Sequence, residues 1–158
     1  MVNDSLEVVS HVQLESYLGK WYEIARLPAR FEDGCSQVTA TYTLSKGGSV
    51  TVLNECIKNG KMKVARGKAK VVDKETGAKL KVTFFWPFYA DYWIIKLGND
   101  YEYSVVGVPN RKYLWILSRT PQIDDKLYSE LLQFVQSKGF NTNNLIKTSQ
   151  TSGARARD

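Results

Sequence analysis

The chain contains 158 residues, of which 43% are hydrophobic and 24% are charged, the composition of one ordinary globular domain. It has no apolar run near the ~20 residues that a membrane-spanning helix needs, and residues 1–7 lack the basic and apolar stretches of a signal peptide. The net charge of +6 is scattered along the chain and not gathered into one basic stripe, so nucleic acid is not expected as a partner.

Eight short strands are predicted, separated by turns, as in a β-sandwich or a β-barrel. The clearest is residues 37–44, where apolar side chains alternate with threonines; this period of two is typical of a strand with one buried face. The glycines at positions 47 and 48 supply the positive φ that a tight hairpin needs. In chain order, the strands are predicted at residues 20–27, 37–44, 50–57, 64–73, 79–85, 92–97, 101–108 and 112–118.

One helix is predicted after the eighth strand. Asp124 or Asp125 begins it, because negative charge stabilises the N-terminus of a helix, and Gly139 ends it. Its apolar residues recur at helical spacing, so one face is expected to pack on the outside of the sheet. Residues 145–148 are a candidate for one more short strand. We expect a single domain over residues 1–149 and a disordered tail over residues 150–158.

This order of elements predicts an all-β fold, an eight-stranded antiparallel up-and-down β-barrel with one C-terminal α-helix packed outside it. Consecutive antiparallel strands joined by short hairpins close most simply in this way, and closure removes the exposed strand edges that promote aggregation. A barrel of eight strands has an interior just wide enough for one small ligand.

Two segments near the ends of the predicted barrel resemble signatures of the lipocalin family. Residues 19–26 (GKWYEIAR) resemble its Gly-x-Trp signature, and residues 114–121 (LWILSRTP) resemble its third signature, in which an arginine follows the last barrel strand. The resemblance is greatest to the bacterial outer-membrane lipocalins and apolipoprotein D. The family's middle signature, a Thr-Asp pair before a tyrosine, is replaced by residues 98–101 (GNDY), which keep the turn-forming residues but lose the threonine.

The resemblance implies a carrier that binds a small hydrophobic or amphipathic ligand in the barrel, with a fatty acid or a lysophospholipid as the first candidates and membrane maintenance as a role. It also implies a structural closed end, formed by Gly19, Trp21 and Arg119. Trp21 is large enough to fill that end, and the planar Arg119 guanidinium is expected to cover its ring in a cation–π contact.

The family's topology places the loops at residues 28–36, 57–63, 85–91 and 108–111 at the opposite, open end. The rim of this end is predicted to be aromatic, with Phe31, Trp86, Phe88 and Tyr89. It is also basic, through Arg30, Lys58, Lys61, Lys63, Arg111 and Lys112. An aromatic and basic rim suits a ligand with an acyl chain and an anionic head group. Taken singly, each lysine is better explained as ordinary surface charge.

Strand alternation, read with the resemblance, nominates a set of interior residues as the ligand-binding surface. Polar groups among them, chiefly Tyr42 and Asn54, are expected to orient a carboxylate, hydroxyl or ester, or else to bond each other or a buried water. The sixth strand also permits the opposite register, with Trp93 and Ile95 inside. The predicted ligand-binding residues are Val38, Ala40, Tyr42, Val52, Asn54, Ala69, Leu80, Val82, Phe84, Tyr92, Ile94 and Trp115.

Cys35 and Cys56 are expected to lie close together, because Cys35 precedes the second strand and Cys56 ends the third, its hairpin partner. A disulfide between them would stabilise the fold by about 3 kcal/mol and would imply an oxidising compartment; two reduced, buried thiols are the alternative. The expected location is the bacterial periplasm or outer membrane, in a mature form, while cytosolic and secreted locations stay open. Outer-membrane relatives are anchored through an N-terminal cysteine, which this chain lacks.

An enzyme is not predicted. The single histidine, His11, precedes the barrel, and the sequence has no Ser-His-Asp set. Glu23 and Glu55 could pair, but no second element of a catalytic site accompanies them. One histidine and two distant cysteines do not make a zinc site, so neither metal nor cofactor is expected. The rival interpretation is that the aromatic open-end loops contact a membrane surface or another protein. A sterol or tetrapyrrole carrier is a further alternative, and the chain is expected to be a monomer or a homodimer.

Overall fold

The computed structural model describes residues 6–85 and 88–151 and contains the predicted eight-stranded antiparallel barrel. Each strand pairs with the next one along the chain, and β1 pairs with both β2 and β8, which closes the sheet. The strands are β1 Gly19–Arg26, β2 Ser36–Leu44, β3 Val50–Lys58, β4 Lys61–Val71, β5 Lys79–Phe85, β6 Phe88–Leu97, β7 Tyr103–Gly107 and β8 Leu114–Ser118.

The predicted external helix is confirmed as α2, Asp125–Ser137, which follows β8. A short helix before β1, α1 (Leu14–Tyr17), was not predicted from the sequence pattern. The Asp124 side chain caps α2 by accepting a hydrogen bond from the Lys126 amide. The apolar face of α2 buries Leu131 and Val135 in an outer core shared with β1, β7 and β8. No helix within residues 6–85 and 88–151 is long and apolar enough to cross a membrane.

The C-terminal segment extends the barrel wall. The short strand β9, Ile146–Lys147, pairs with the open-end half of β1, where β2 no longer pairs with it. The contacts continue beyond the expected boundary at residue 149: the Gln150 side chain donates to the carbonyls of Glu23 and Val38, and the Thr151 amide donates to Gln37. The rest of the expected tail, residues 152–158, lies outside the described residues.

Candidate functional site

The closed end of the barrel is held by Trp21 and Arg119. Trp21 is fully buried, and its indole donates a hydrogen bond to the Tyr17 carbonyl of α1. The Arg119 guanidinium lies 3.7 Å from the centroid of the Trp21 ring and donates to the carbonyls of Ser16, Lys20 and Tyr101. Gly19 has a φ of +103°, and a Cβ there would lie 3.3 Å from Arg119 Nη1. The three predicted closed-end residues are therefore in contact.

Three tyrosines form a hydrogen-bonded cluster above this closed end. The Tyr92 hydroxyl bonds those of Tyr17 at 2.9 Å and Tyr42 at 2.8 Å, and Tyr17 also bonds Ser104. Burial raises the pKa of Tyr17 to about 12 and raises the pKa values of Tyr42 and Tyr92 as well. All three hydroxyls are therefore neutral at physiological pH. A cavity of about 10 Å³ beside Tyr42 and Tyr92 has room for one water at most.

The interior surface becomes more exposed from the closed end to the open end along β4, β5 and β6, and along β3 as far as Asn54; beyond it, the disulfide-bonded Cys56 is buried again. On β3, Val50 and Val52 are buried and Asn54 is half-buried; on β4, Ala69 is buried and Ala65 is exposed. The same gradient runs along β5 from Leu80 to Phe84, and along β6 from Ile94 to Ala90. We call the exposed or half-buried inner positions Asn54, Ala65, Phe84 and Ala90 the mouth. The open-end half of the barrel is thus a cup open to solvent.

Most of the predicted ligand-binding residues lie on the inner face of their strands, and Val38 is buried near the start of β2, on the face of Ala40 and Tyr42. Tyr92 and Ile94 face inwards, whereas Trp93 and Ile95 pack in the outer core, so the first of the two registers considered for the sixth strand is the observed one. Phe84 lies against Gly67, where a Cβ would come within 2.7 Å of its ring. Whether these residues contact a ligand stays a prediction.

The predicted rim is only partly aromatic in the described residues. Phe31 is 67% exposed and lies beside Tyr113, with 6.0 Å between the ring centroids. Tyr89 is 41% exposed at the open-end start of β6 and points to the outer face, where Lys70 lies 4.9 Å from its ring. Trp86 lies outside the described residues, as does the side chain of Phe88.

One predicted basic rim residue serves a structural contact. Arg111 donates from Nε to the Lys138 carbonyl at the end of α2 and stacks near Phe140, so it holds the helix against the barrel. Lys58, Lys61 and Lys63 lie on the β3–β4 hairpin at the open end, as predicted.

A buried polar cluster inside the open-end half was not predicted. Arg26 Nη1 donates to Glu23 Oε2 at 3.1 Å, and Arg26 Nε lies 3.5 Å from Glu32 Oε2. Trp115 Nε1 donates to Glu32 Oε1 at 2.8 Å, and the Thr148 hydroxyl donates to Glu23. Alternation from Trp21 already places Glu23 inside, but a bulge between Glu23 and Ala25 shifts the phase and turns Arg26 inwards.

The predicted disulfide between Cys35 and Cys56 is present, with a Cα–Cα distance of 5.6 Å. The bond connects the end of the β1–β2 loop, at Cys35, with strand β3, at Cys56, as the hairpin geometry predicted. In the described ranges 6–85 and 88–151, no three His, Cys, Asp or Glu side chains are grouped so that they would hold a metal ion.

Comparison with known proteins gives one consistent family. The model of the lipocalin-like domain matches residues 12–150. The outer membrane lipoprotein Blc of Vibrio cholerae is 43% identical, covering 93% of this chain and 88% of the relative; apolipoprotein D of Mus musculus is 34% identical, covering 90% and 79%. Among solved structures, insecticyanin from the tobacco hornworm Manduca sexta has a TM-score of 0.77 at 19% identity, covering 95% of this chain and 86% of that one, and supports the fold alone.

Proposed function

Because the chain belongs to the lipocalin family, whose members bind small hydrophobic ligands, we propose that it binds a fatty acid or a lysophospholipid in the open-end half of its barrel. The observation that supports this most is the graded interior. Along β4 and β5, apolar inner positions pass from the buried Ala69 and Leu80 to Ala65 and Phe84 at the solvent-open mouth. A surface of that kind, apolar, concave and with few polar groups, is typical of a small-molecule site.

The proposed ligand lies above the tyrosine cluster. The floor of the cup is filled, since the free volume beside Tyr42 and Tyr92 is only about 10 Å³. An acyl chain therefore rests on these rings, on Leu80 and on Phe84, or displaces Phe84 to reach further in. Burying each CH₂ group is favourable by about 0.8 kcal/mol before ordering costs, and a net affinity of about 6–9 kcal/mol is expected for a long chain.

We propose a carrier and not an enzyme. His11 is exposed and lies before β1, outside the barrel interior. The buried tyrosines are poor bases and poor acids at neutral pH, because their pKa values are raised. His11 and the three tyrosines thus supply little acid–base chemistry to act on a bound lipid.

The proposed location is the bacterial periplasm or the surface of the outer membrane, with a role in membrane maintenance. Two observations support it: the disulfide, which persists in oxidising compartments, and the relatives named outer membrane lipoprotein. A contact of the open-end loops with the membrane surface fits the same location.

Ligand titration with a blocked mouth tests the proposal. Ala65→Phe places a ring inside the mouth, whereas Val64→Phe places the same ring on the outer face of β4, where Val64 is already 46% exposed. Titration with dodecanoate and with lysophosphatidylcholine, followed by tryptophan fluorescence and calorimetry, is expected to saturate in the wild type and in Val64→Phe. Ala65→Phe is expected to bind about tenfold or more weakly, the effect of lost apolar burial and steric block. Equal binding by both variants would place the ligand outside the barrel.

A further inference from the structure

The side chains of Arg26, Glu23 and Glu32 form a buried, charged cluster inside the barrel. The side chains of Arg26 and Glu23 are 5% and 3% exposed, and that of Glu32, nearer the open end, is 13% exposed. A buried ion is tolerated only with a counter-charge and hydrogen bonds, so each of these groups needs its partners. The cluster is not required to close the barrel, since the closed end lies at Trp21 and Arg119.

Glu32 is the counter-ion that balances Arg26. Burial and the neighbouring Glu32 carboxylate raise the pKa of Glu23 well above its usual range, which favours its neutral acid. Glu32, whose Oε2 lies 3.5 Å from Arg26 Nε, is the second acidic neighbour of the guanidinium. If Glu32 left Arg26 and nothing replaced it, Glu23 would be the remaining acidic neighbour of the guanidinium, and its raised pKa disfavours the charged form. A buried cation without a counter-charge is costly in free energy.

The Arg26–Glu32 pairing is incomplete. Arg26 Nη2 donates to the Glu32 backbone carbonyl at 3.1 Å, while Arg26 Nε and Glu32 Oε2 are both buried without a hydrogen bond. A free carboxylate placed against the Nε and Nη2 side of the guanidinium would accept from both, the bidentate geometry that arginine favours. Arg26 Nε is therefore a buried donor that Glu32 does not fully satisfy and that an added carboxylate could engage.

Glu32 lies outside the strands of the barrel wall. It ends a 3-10 turn, Arg30–Glu32, in the loop between β1 and β2, and the neighbouring Phe31 is largely exposed. The disulfide at Cys35 fixes the far end of this loop to β3. The contacts of the turn with the interior are mostly those of Glu32 itself, to Arg26 and Trp115.

We propose, on the basis of the proposed function, that Glu32 occupies the position of the ligand's head group. A long-chain carboxylate that enters the mouth displaces Glu32, pairs with Arg26, accepts the Trp115 indole hydrogen bond and releases the turn Arg30–Glu32. This selects a carboxylate over an uncharged head group and makes the turn a lid that opens when a fatty acid binds.

The experiment tests two points separately: whether the turn Arg30–Glu32 opens as a lid, and whether Arg26 anchors the ligand's carboxylate. Dodecanoate and 1-dodecanol are titrated calorimetrically into the wild type, Glu32→Gln, the double variant Arg26→Gln/Glu32→Gln, and Glu75→Gln. Glu75 lies exposed in the β4–β5 turn at the closed end and serves as the matched control. Glu32→Gln is expected to bind dodecanoate about tenfold more tightly, because the ion pair no longer has to be broken, with 1-dodecanol little changed. The double variant is expected to lose about tenfold in dodecanoate affinity relative to Glu32→Gln, with 1-dodecanol little changed.

Hydrogen exchange in the wild type gives a readout that does not depend on a variant folding. The Glu32 and Asp33 amides donate to the carbonyls of Ala29 and Arg30 in the closed turn. Dodecanoate is expected to speed their exchange. An unchanged dodecanoate affinity in Glu32→Gln, or unchanged exchange with dodecanoate bound, would overturn the lid. A dodecanoate preference that survives loss of Arg26 would overturn the anchor while leaving the proposed function intact. Failure of both ligands to bind the wild type would instead remove the proposed function, and the inference with it.

Discussion

Replacing Arg119 by methionine tests how the closed end of the barrel is held. The guanidinium contributes one cation–π contact with Trp21 at 3.7 Å and three hydrogen bonds to backbone carbonyls. A cation–π contact contributes about 0.5–2 kcal/mol and a net hydrogen bond about 0.5–1.5 kcal/mol. Two of the three hydrogen bonds are exposed, so water replaces them in part, and methionine keeps apolar cover over the indole. The expected loss is about 2–4 kcal/mol in the free energy of unfolding.

Urea denaturation followed by far-ultraviolet circular dichroism measures this loss, with Arg66→Met on the exposed outer face of β4 as the control. Arg119→Lys is expected to recover less than half of it, because an ammonium group lacks the planar face and the fork of donors. A midpoint for Arg119→Met equal to that of Arg66→Met would refute the reasoning. So would full recovery by lysine, since simple charge would then account for the effect.

Two further predictions concern the disulfide and the tyrosine cluster. The double variant Cys35→Ser/Cys56→Ser is expected to lose about 3 kcal/mol in the free energy of unfolding measured in urea, because the unfolded chain gains entropy without the bond. Reduction of the wild type should add the mass of two hydrogens to the intact protein. An unchanged mass would contradict the disulfide. The raised tyrosine pKa values predict a pH-dependent contribution to the free energy of unfolding. This contribution is fully present below pH 10 and is lost as the pH rises from 10 through about 12, because the tyrosines of the unfolded chain ionise first. Thermal unfolding across this range checks it, and Tyr17→Phe should make the loss less steep; a flat profile would contradict burial of these hydroxyls.

The sequence by itself determined the architecture of this protein, because strands, turns and helices are specified by residues that are close together in the chain. A period of two in each strand requires one buried face, glycines at 47–48 require a tight turn, and the capped apolar stripe of residues 125–137 requires a surface to pack on. Together these leave closure into an antiparallel barrel as the simplest solution, and they place most inner residues correctly. The disulfide followed from the same hairpin, since two cysteines near one end of paired strands lie side by side.

Only the tertiary structure decided which polar groups lie inside and with whom they pair. The inward turn of Arg26 depends on a bulge in β1 against β8, which shifts the phase of alternation without any marker in the composition. Its partner Glu32 comes from a loop, and the tyrosine cluster joins α1, β2 and β6, which are far apart in the chain. Such contacts are fixed by the closing of the barrel as a whole, because the neighbours of a side chain across the interior are set by strand order, tilt and register together.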